Sequence, residues 1–247
     1  MSIVHKILLS LSIVGISDGH VNLQFLTFHP QNLTFDRFAV STWKLCVFCA
    51  ILVSSDRADL FVVRGENKGV CGMDNIRFRG VMPALVTPFD DGGRIKCETV
   101  RRLMDMQLAN GVSGFYICGN TGEGPVLSAK TRMDMAETVM EHIKGRGAVI
   151  DHIGAPNIQD TLALARHAAR AGVDAISSVA PTFFYNYTDD EIVDYYKAIA
   201  DVTDTPMIVY ATGLMRSPDI TRLIARLMKI PGVVGVKFTR TNYFEMR

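Results

Sequence analysis

The chain has 247 residues, is 48% hydrophobic and 21% charged, and carries a net charge of +1. Those are ordinary globular values, enough for one large domain or two small ones, and they offer no basic surface to nucleic acid or an anionic membrane. Five cysteines, Cys46, Cys49, Cys71, Cys97 and Cys118, form no disulfide framework, and the last two fall in a predicted helix and strand, which suits reduced thiols in a cytosol.

Residues 1–72 read as an irregular N-terminal extension outside the main fold. Met1–Lys6 followed by the apolar run Ile7–Ile16 resembles a short signal peptide, but Ser17-Asp18-Gly19 is a poor cleavage site. Trp43–Val53 is too short to cross a membrane. Val21–Phe28, Leu45–Val53 and Leu60–Val63 are β-prone runs without clear turn chemistry. Cys46-Val-Phe-Cys49 matches C-x-x-C, yet no second pair accompanies it, so neither a metal nor a redox role is assigned. The expectation is sequence upstream of a true start at Met73.

From Asp74 the pattern becomes regular. Val81–Val86 reads as a strand stopped by Thr87-Pro88. Glu98–Leu108 has helical spacing, with Val100, Leu103, Met104 and Leu108 on one side and Gly111 as the stop. Phe115–Cys118 is the second strand. Ser128 caps a helix carrying Met133, Met135, Ala136, Val139 and Ile143, ended by Gly145. Ala148–Ile153 is the third strand, Gln159–Ala171 a helix stopped by Gly172, and Asp174–Val179 the fourth strand. Thr188 caps an acidic helix start that runs to about Asp201. Pro206–Tyr210 is the fifth strand, Ser217-Pro218 opens a helix reaching about Lys229, and Val233–Lys237 is the sixth strand.

Strand and helix thus alternate six times over Asp74–Arg247, which implies a parallel sheet with right-handed crossovers. An open doubly wound sheet and a (β/α)8 barrel both fit. The first βα turn lacks G-x-G-x-x-G and no Walker loop follows, so nucleotide binding is unsupported. Regular unit length favours the barrel, and in either fold the ligand sits at the carboxyl ends of the strands.

Unusual residues gather at those ends. The run Pro231–Thr239 is apolar on both faces until Lys237; strand alternation puts Val234, Val236 and Phe238 on one face and Val233, Gly235 and Lys237 on the other. A desolvated lysine is an amine nucleophile towards carbonyls, whereas a lysine just past a strand end would reach water. Gly119-Asn120-Thr121-Gly122-Glu123-Gly124 can turn several N–H groups towards a carboxylate, with Thr121 adding a hydroxyl. Tyr185 and Tyr187 follow the fourth strand and Tyr210 ends the fifth; a phenol near the amine can relay protons. His142, His152 and His167 have no ligand spacing; His142 and His167 read as solvated helix residues and His152 as a strand-end residue near the rim. Amine, tyrosine and anion nest together suit a class I aldolase acting on a 2-oxo acid without metal or cofactor.

Asp74–Arg247 resembles the N-acetylneuraminate lyase and dihydrodipicolinate synthase family of pyruvate-dependent barrel enzymes. The resemblance rests on Pro83-Ala84-Leu85-Val86-Thr87-Pro88-Phe89, Gly119-Asn120-Thr121-Gly122-Glu123, Phe184-Tyr185-Asn186-Tyr187-Thr188, Met207-Ile208-Val209-Tyr210 and Gly235-Val236-Lys237-Phe238-Thr239, in that order. It implies a (β/α)8 TIM barrel of class I aldolase type. It implies Lys237 as Schiff-base nucleophile, Tyr185 as acid/base, Asn120 and Thr121 at the pyruvyl carboxylate, and Thr239 at substrate. The Lys-Phe-Thr ending is similar to the neuraminate lyase branch, which implies cleavage of N-acetylneuraminate to pyruvate and N-acetylmannosamine. Dihydrodipicolinate synthase-like condensation is the same-class alternative, and a non-catalytic truncated fragment the alternative of another class. The partners implied are a small 2-oxo acid or sialic acid, no nucleic acid, no membrane, and further copies of a complete family member in a homo-oligomer, all in the cytoplasm.

Three departures qualify the resemblance. Asn120 stands where the family has a first loop hydroxyl, Ala211-Thr212-Gly213 stands where it has Asn-Ile-Pro, and the sequence ends at Arg247, soon after the sixth strand. A barrel closes by pairing its last strand with its first, so the expectation is an incomplete barrel truncated after strand six. Such a chain should be poorly soluble and at least about a thousandfold less active than a complete relative.

Overall fold

The computed structural model describes residues 10–17, 20–29, 32–37, 78, 80–180 and 186–240. The chain divides into two units, 1–48 and 49–247. In the first, β1 (Ser10–Ser17), β2 (His20–His29) and β3 (Asn32–Arg37) form an antiparallel sheet in the order β1-β2-β3. Ser17 pairs with His20 across the first connection and His29 with Asn32 across the second. The run Val21–Phe28 falls within β2, and the region read as signal-like is strand from Ser10 onward. Leu45–Val53, Leu60–Val63, the C-x-x-C pair and Met73 lie outside the described residues.

The second unit carries a parallel sheet, order β4-β5-β6-β7-β8: β4 (Gly114–Ile117), β5 (Ala148–His152), β6 (Ala175–Ser178), β7 (Met207–Thr212) and β8 (Val233–Thr239). Helices α1 (Cys97–Ala109), α2 (Ala129–Ile143), α3 (Ile158–Ala171), α4 (Asp189–Ala200) and α5 (Ile220–Leu227) alternate with these strands. The expected first strand, Val81–Val86, runs parallel to β4 and bonds its Tyr116 through the Pro83 carbonyl and the Leu85 N–H, while the Val81 carbonyl accepts from Ser113 just before β4. Only Ala84 and Tyr116 form a ladder bridge there; Pro83 has no N–H to give, which breaks a regular ladder.

The caps set the helix limits. The Ser128 side chain accepts from the Thr131 N–H, Asn157 accepts from Asp160, and Thr188 with Glu191 makes a full capping box. Gly172 closes α3 in the left-handed conformation at φ 78°. The last helix departs from expectation. It starts at Ile220, capped by Asp219, because the Ser217 hydroxyl accepts from the Asp219 N–H and donates to Asp189 instead.

Two apolar clusters follow from strand alternation. Phe115, Ile117, Val149, Ile176, Val209 and Ala211 face the helices and pack on residues such as Met104, Met135, Val139, Leu164, Tyr196 and Leu223. Met82, Tyr116, Ala148, Ile150, Ala175 and Ile208 meet on the inner face. The expected phase of β8 needs correction at its start. Met207 pairs with Val233 but Ile208 pairs with Gly235, so Val234 is an extra residue in a β-bulge. Val234 consequently packs with the inner cluster, while Val233, Val236 and Phe238 pack on the helix side. Lys237 keeps the inward position expected of it.

Histidines 142 and 167 tie helices together rather than standing in solvent. His142 Nε2 lies 2.9 Å from Asp105 of α1, and His167 Nε2 lies 2.9 Å from Glu137 of α2. Cys97 and Cys118 are free thiols; burial pushes the Cys118 thiol well above its usual pKa.

Candidate active site

Four inner strand positions converge at the carboxyl end of the sheet. Lys237 of β8 is 3% exposed and lies in register opposite Tyr210 of β7. Its Nζ sits 3.5 Å from the Tyr116 ring centroid and 4.1 Å from that of Tyr210. Tyr116 comes from β4, and its ring and that of Tyr210 meet edge to face, 6.2 Å between centroids. His152, ending β5, faces both rings at 6.2 and 6.1 Å. Gly235, two residues before Lys237 on its face, has open space where a side chain would stand. A Cβ there meets nothing within 4 Å, which agrees with the room expected for a small substrate.

The Tyr116 hydroxyl donates to Ser177 Oγ at 3.1 Å, and Ser177 donates on to the Ile208 carbonyl at 2.9 Å. Tyr116 is therefore fixed at both its ring and its hydroxyl. Burial, aided by the positive charges of Arg132 and Lys237, holds the His152 imidazole well below its usual pKa, so the ring is neutral. The Val179 N–H donates to its Nε2 at 3.4 Å. In the neutral ring the proton then belongs on Nδ1.

The glycine-rich loop follows β4. Its glycines serve the loop's own packing more than a ligand's approach. A Cβ at Gly119 would meet the Tyr116 ring at 2.6 Å, one at Gly122 the Leu85 carbonyl at 2.7 Å, and one at Gly124 would collide with the Cys118 carbonyl. The left-handed residues are Cys118, φ 55°, and Glu123, φ 60°. Thr87, buried at the end of the first inner run, donates its hydroxyl to the Gly122 carbonyl at 2.7 Å. The Glu123 and Gly124 N–H groups close the loop on Asn120 and Gly119. Asn120 is exposed and Thr121 half-buried at its tip.

Thr239 lies two residues beyond Lys237, hence on the same strand face, and pairs with Thr212 of β7. Tyr185 lies outside the described residues. The helix after it is firmly seated, since Tyr196 donates to the Ser178 carbonyl at 2.6 Å and Tyr195 lies 2.7 Å from the Ser178 hydroxyl.

Behind the inner face lies a buried charged cluster. Arg132 of α2 is 2% exposed and donates to the carbonyls of Gly154, at 3.0 Å, and His152. It pins the turn that carries His152. Asp151, on the helix side of β5, has its carboxyl pushed up to about 7 by burial, against the pull of Arg132. One of its oxygens has no hydrogen-bond partner.

Sequence reasoning located Lys237, Tyr210 and the loop, and placed His152 near the rim. It missed Tyr116 and Thr87. Tyr116 alternates with Phe115 and Ile117 in a strand buried throughout, so the tyrosine hydroxyl was the available hint that its face differs.

Parallel βα units with a buried lysine at the inner carboxyl rim place this unit among the (β/α)-barrel proteins. Over residues 77–247 the chain matches the Dihydrodipicolinate synthetase family, and it belongs to that family. It is 38% identical over 170 residues to the N-acetylneuraminate lyase of Citrobacter koseri, an alignment covering 68% of this chain and 57% of the relative. The structure of N-acetylneuraminate lyase from Mycoplasma synoviae matches with a TM-score of 0.60 at 33% identity, covering 66% of this chain and 55% of that one. YagE, a prophage protein of the dihydrodipicolinic acid synthase family from E. coli K12 solved in complex with pyruvate, matches with a TM-score of 0.61 at 25% identity, over 64% and 54%. The chain thus spans little more than half the length of these relatives. Among the described residues no helix is long and apolar enough to cross a membrane.

Proposed function

We propose that the chain carries the Schiff-base half of a class I aldolase site, with N-acetylneuraminate as substrate and pyruvate and N-acetylmannosamine as products. The observation that carries this reading is Lys237, 3% exposed at the inner carboxyl end of β8, in a chain 38% identical to an N-acetylneuraminate lyase. Lys237 Nζ attacks the C2 carbonyl carbon of the 2-oxo acid, and the carbonyl oxygen leaves as water. The product is a protonated imine. A base takes the proton of the C4 hydroxyl, the C3–C4 bond breaks, and its electron pair flows into the imine. The aldehyde leaves, the resulting enamine takes a proton at C3, and water returns pyruvate and the free amine.

In this reading Tyr185 moves the proton, Asn120 and Thr121 hold the carboxylate, and Thr239 meets the substrate. Thr87 supports the loop by tying Gly122 to the first inner run. Condensation of pyruvate with another aldehyde is the second reading, and Phe238-Thr239 after the lysine favours the first.

The test is pyruvate with borohydride, followed by peptide mapping. A carboxyethyl group confined to Lys237, and absent from Lys237→Arg, is the expected result, because arginine stays protonated. Label scattered over surface lysines, or none on the folded chain, would refute the assignment. Release of N-acetylmannosamine from N-acetylneuraminate, against no reaction, separates the lyase reading from the condensing one.

A further inference from the structure

Beyond the rung that pairs Tyr210 with Lys237, the same two strands pair Thr212 of β7 with Thr239 of β8. Ile208 packs in the inner cluster, whereas Met207, Val209 and Ala211 pack on the helix side, so alternation turns Thr212 inward. Thr212 is 8% exposed and Thr239 half-buried. The Thr212 hydroxyl oxygen accepts from the Leu214 N–H at 3.1 Å, which leaves its proton to give. Among the described residues none accepts that proton or the one on Thr239. Buried hydroxyls ordinarily have partners. The rung is also held in place. Arg240 Nη1 donates to the Thr212 carbonyl at 2.9 Å and to the Met215 carbonyl at 2.8 Å, tying the turn after β7 to the end of β8. Thr212 belongs to Ala211-Thr212-Gly213, a run in which the sequence departs from the family pattern.

We infer that Thr212 is a specificity-determining residue of the lysine site: with Thr239 it forms a hydroxyl clip for the oxygen at C4 of a 4-hydroxy-2-oxo acid. The inference rests on the Schiff-base reading and names what the site takes beyond the 2-oxo acid group. Two residues along a parallel strand advance about 6.6 Å towards the rim. From the imine nitrogen, C2, C3, C4 and the C4 oxygen extend about 5 Å, and a hydrogen bond of about 2.8 Å completes the span. The carboxylate belongs in that reading to the loop after β4, three strands away from β7 in the sheet, so the aldehyde half is what meets the threonine rung. When the base takes the C4 hydroxyl proton, this oxygen gains charge and then becomes the carbonyl oxygen of the leaving aldehyde. Two aimed donors favour it along that course. Neither threonine gives up its proton.

The experiment uses the full chain with Thr212→Val, which removes the hydroxyl, and Thr212→Ser, which keeps it. Labelled pyruvate is trapped on Lys237 with borohydride at short times, in competition with 2-oxobutanoate or 4-hydroxy-2-oxobutanoate, two acids that differ only in the C4 oxygen. Competition by the hydroxy acid should weaken about fivefold in Thr212→Val, the loss of one hydrogen bond, and return in Thr212→Ser. Competition by 2-oxobutanoate should be the same in all three chains. Equal weakening of both acids would make Thr212 a structural residue and overturn the clip, as would no change in either. A measurement on the unaltered chain needs no variant: the hydroxy acid should compete better than 2-oxobutanoate, and equal competition overturns the clip. A pyruvate adduct on Lys237 without discrimination at C4 thus refutes the clip alone. No pyruvate adduct on Lys237 refutes the Schiff-base reading, and the clip with it.

Discussion

Asp151→Asn tests the buried cluster behind the candidate site through its dependence on pH. Asp151 is fully buried, and its carboxyl titrates at about 7 in the folded chain against an ordinary 3.8. The folded state therefore holds the Asp151 proton to higher pH than the unfolded state does. Its stabilising contribution is complete below about pH 4, falls as pH rises between the two values, and is lost above about pH 7. A gap of roughly three units at about 1.4 kcal/mol each makes the loss about 4 kcal/mol. Asparagine has no proton to lose, so its stability lacks this fall. Urea unfolding at a series of pH values measures the difference. All seven tyrosines lie between Tyr116 and Tyr243, so near-ultraviolet tyrosine dichroism follows the second unit, while the single tryptophan, Trp43, belongs to the first. Asp90, Asp105 and Glu191, whose carboxyls are held low by arginine, histidine or backbone donors, are common to both chains and cancel. The stability of Asp151→Asn relative to the unaltered chain should rise by about 4 kcal/mol from pH 4 to pH 8. Parallel curves would refute the argument that burial outweighs the pull of Arg132 on this carboxyl.

His152 is held well below its ordinary pKa by burial, so its contribution has the opposite sign: it is present above about pH 6.5 and lost as pH falls and the unfolded chain takes up the proton. Nitrogen-15 spectra of the folded chain should show a His152 imidazole still neutral and protonated at Nδ1 below the ordinary 6.5, where a free histidine is mostly imidazolium, and an imidazolium signal at the ordinary midpoint would contradict the assignment. Deletion of residues 1–72 should leave the tyrosine-reported thermal transition unchanged or raised, because the second unit has its own core of Met104, Met135, Val139, Leu164, Tyr196 and Leu223. A deleted chain that no longer folds, beside a parent that does, would make the N-terminal region part of that core.

Much of the second unit was legible in the residues because its rules are local. Ser128 and Thr188 bond N–H groups three residues away, Gly172 takes a left-handed turn that costs other residues more, and alternation along β8 places Lys237 inward. The five family-like runs could be recognised for a related reason: each is a short contiguous segment. What escaped depends on residues far apart in sequence. The bulge at Val234 arises in pairing with β7, so alternation counted along β8 alone assigned its first residues to the wrong faces. Ser217 looked like a cap until Asp189, 28 residues earlier, took its hydroxyl. Tyr116 reads as one more core aromatic in β4, and only its position across the sheet from Tyr210 and Lys237 makes it part of the site. Sequence determined which side chains each element presents. Packing decided which of them meet, because a contact between strands is set by register, twist and the room left at glycines, and none of these is written in a single segment.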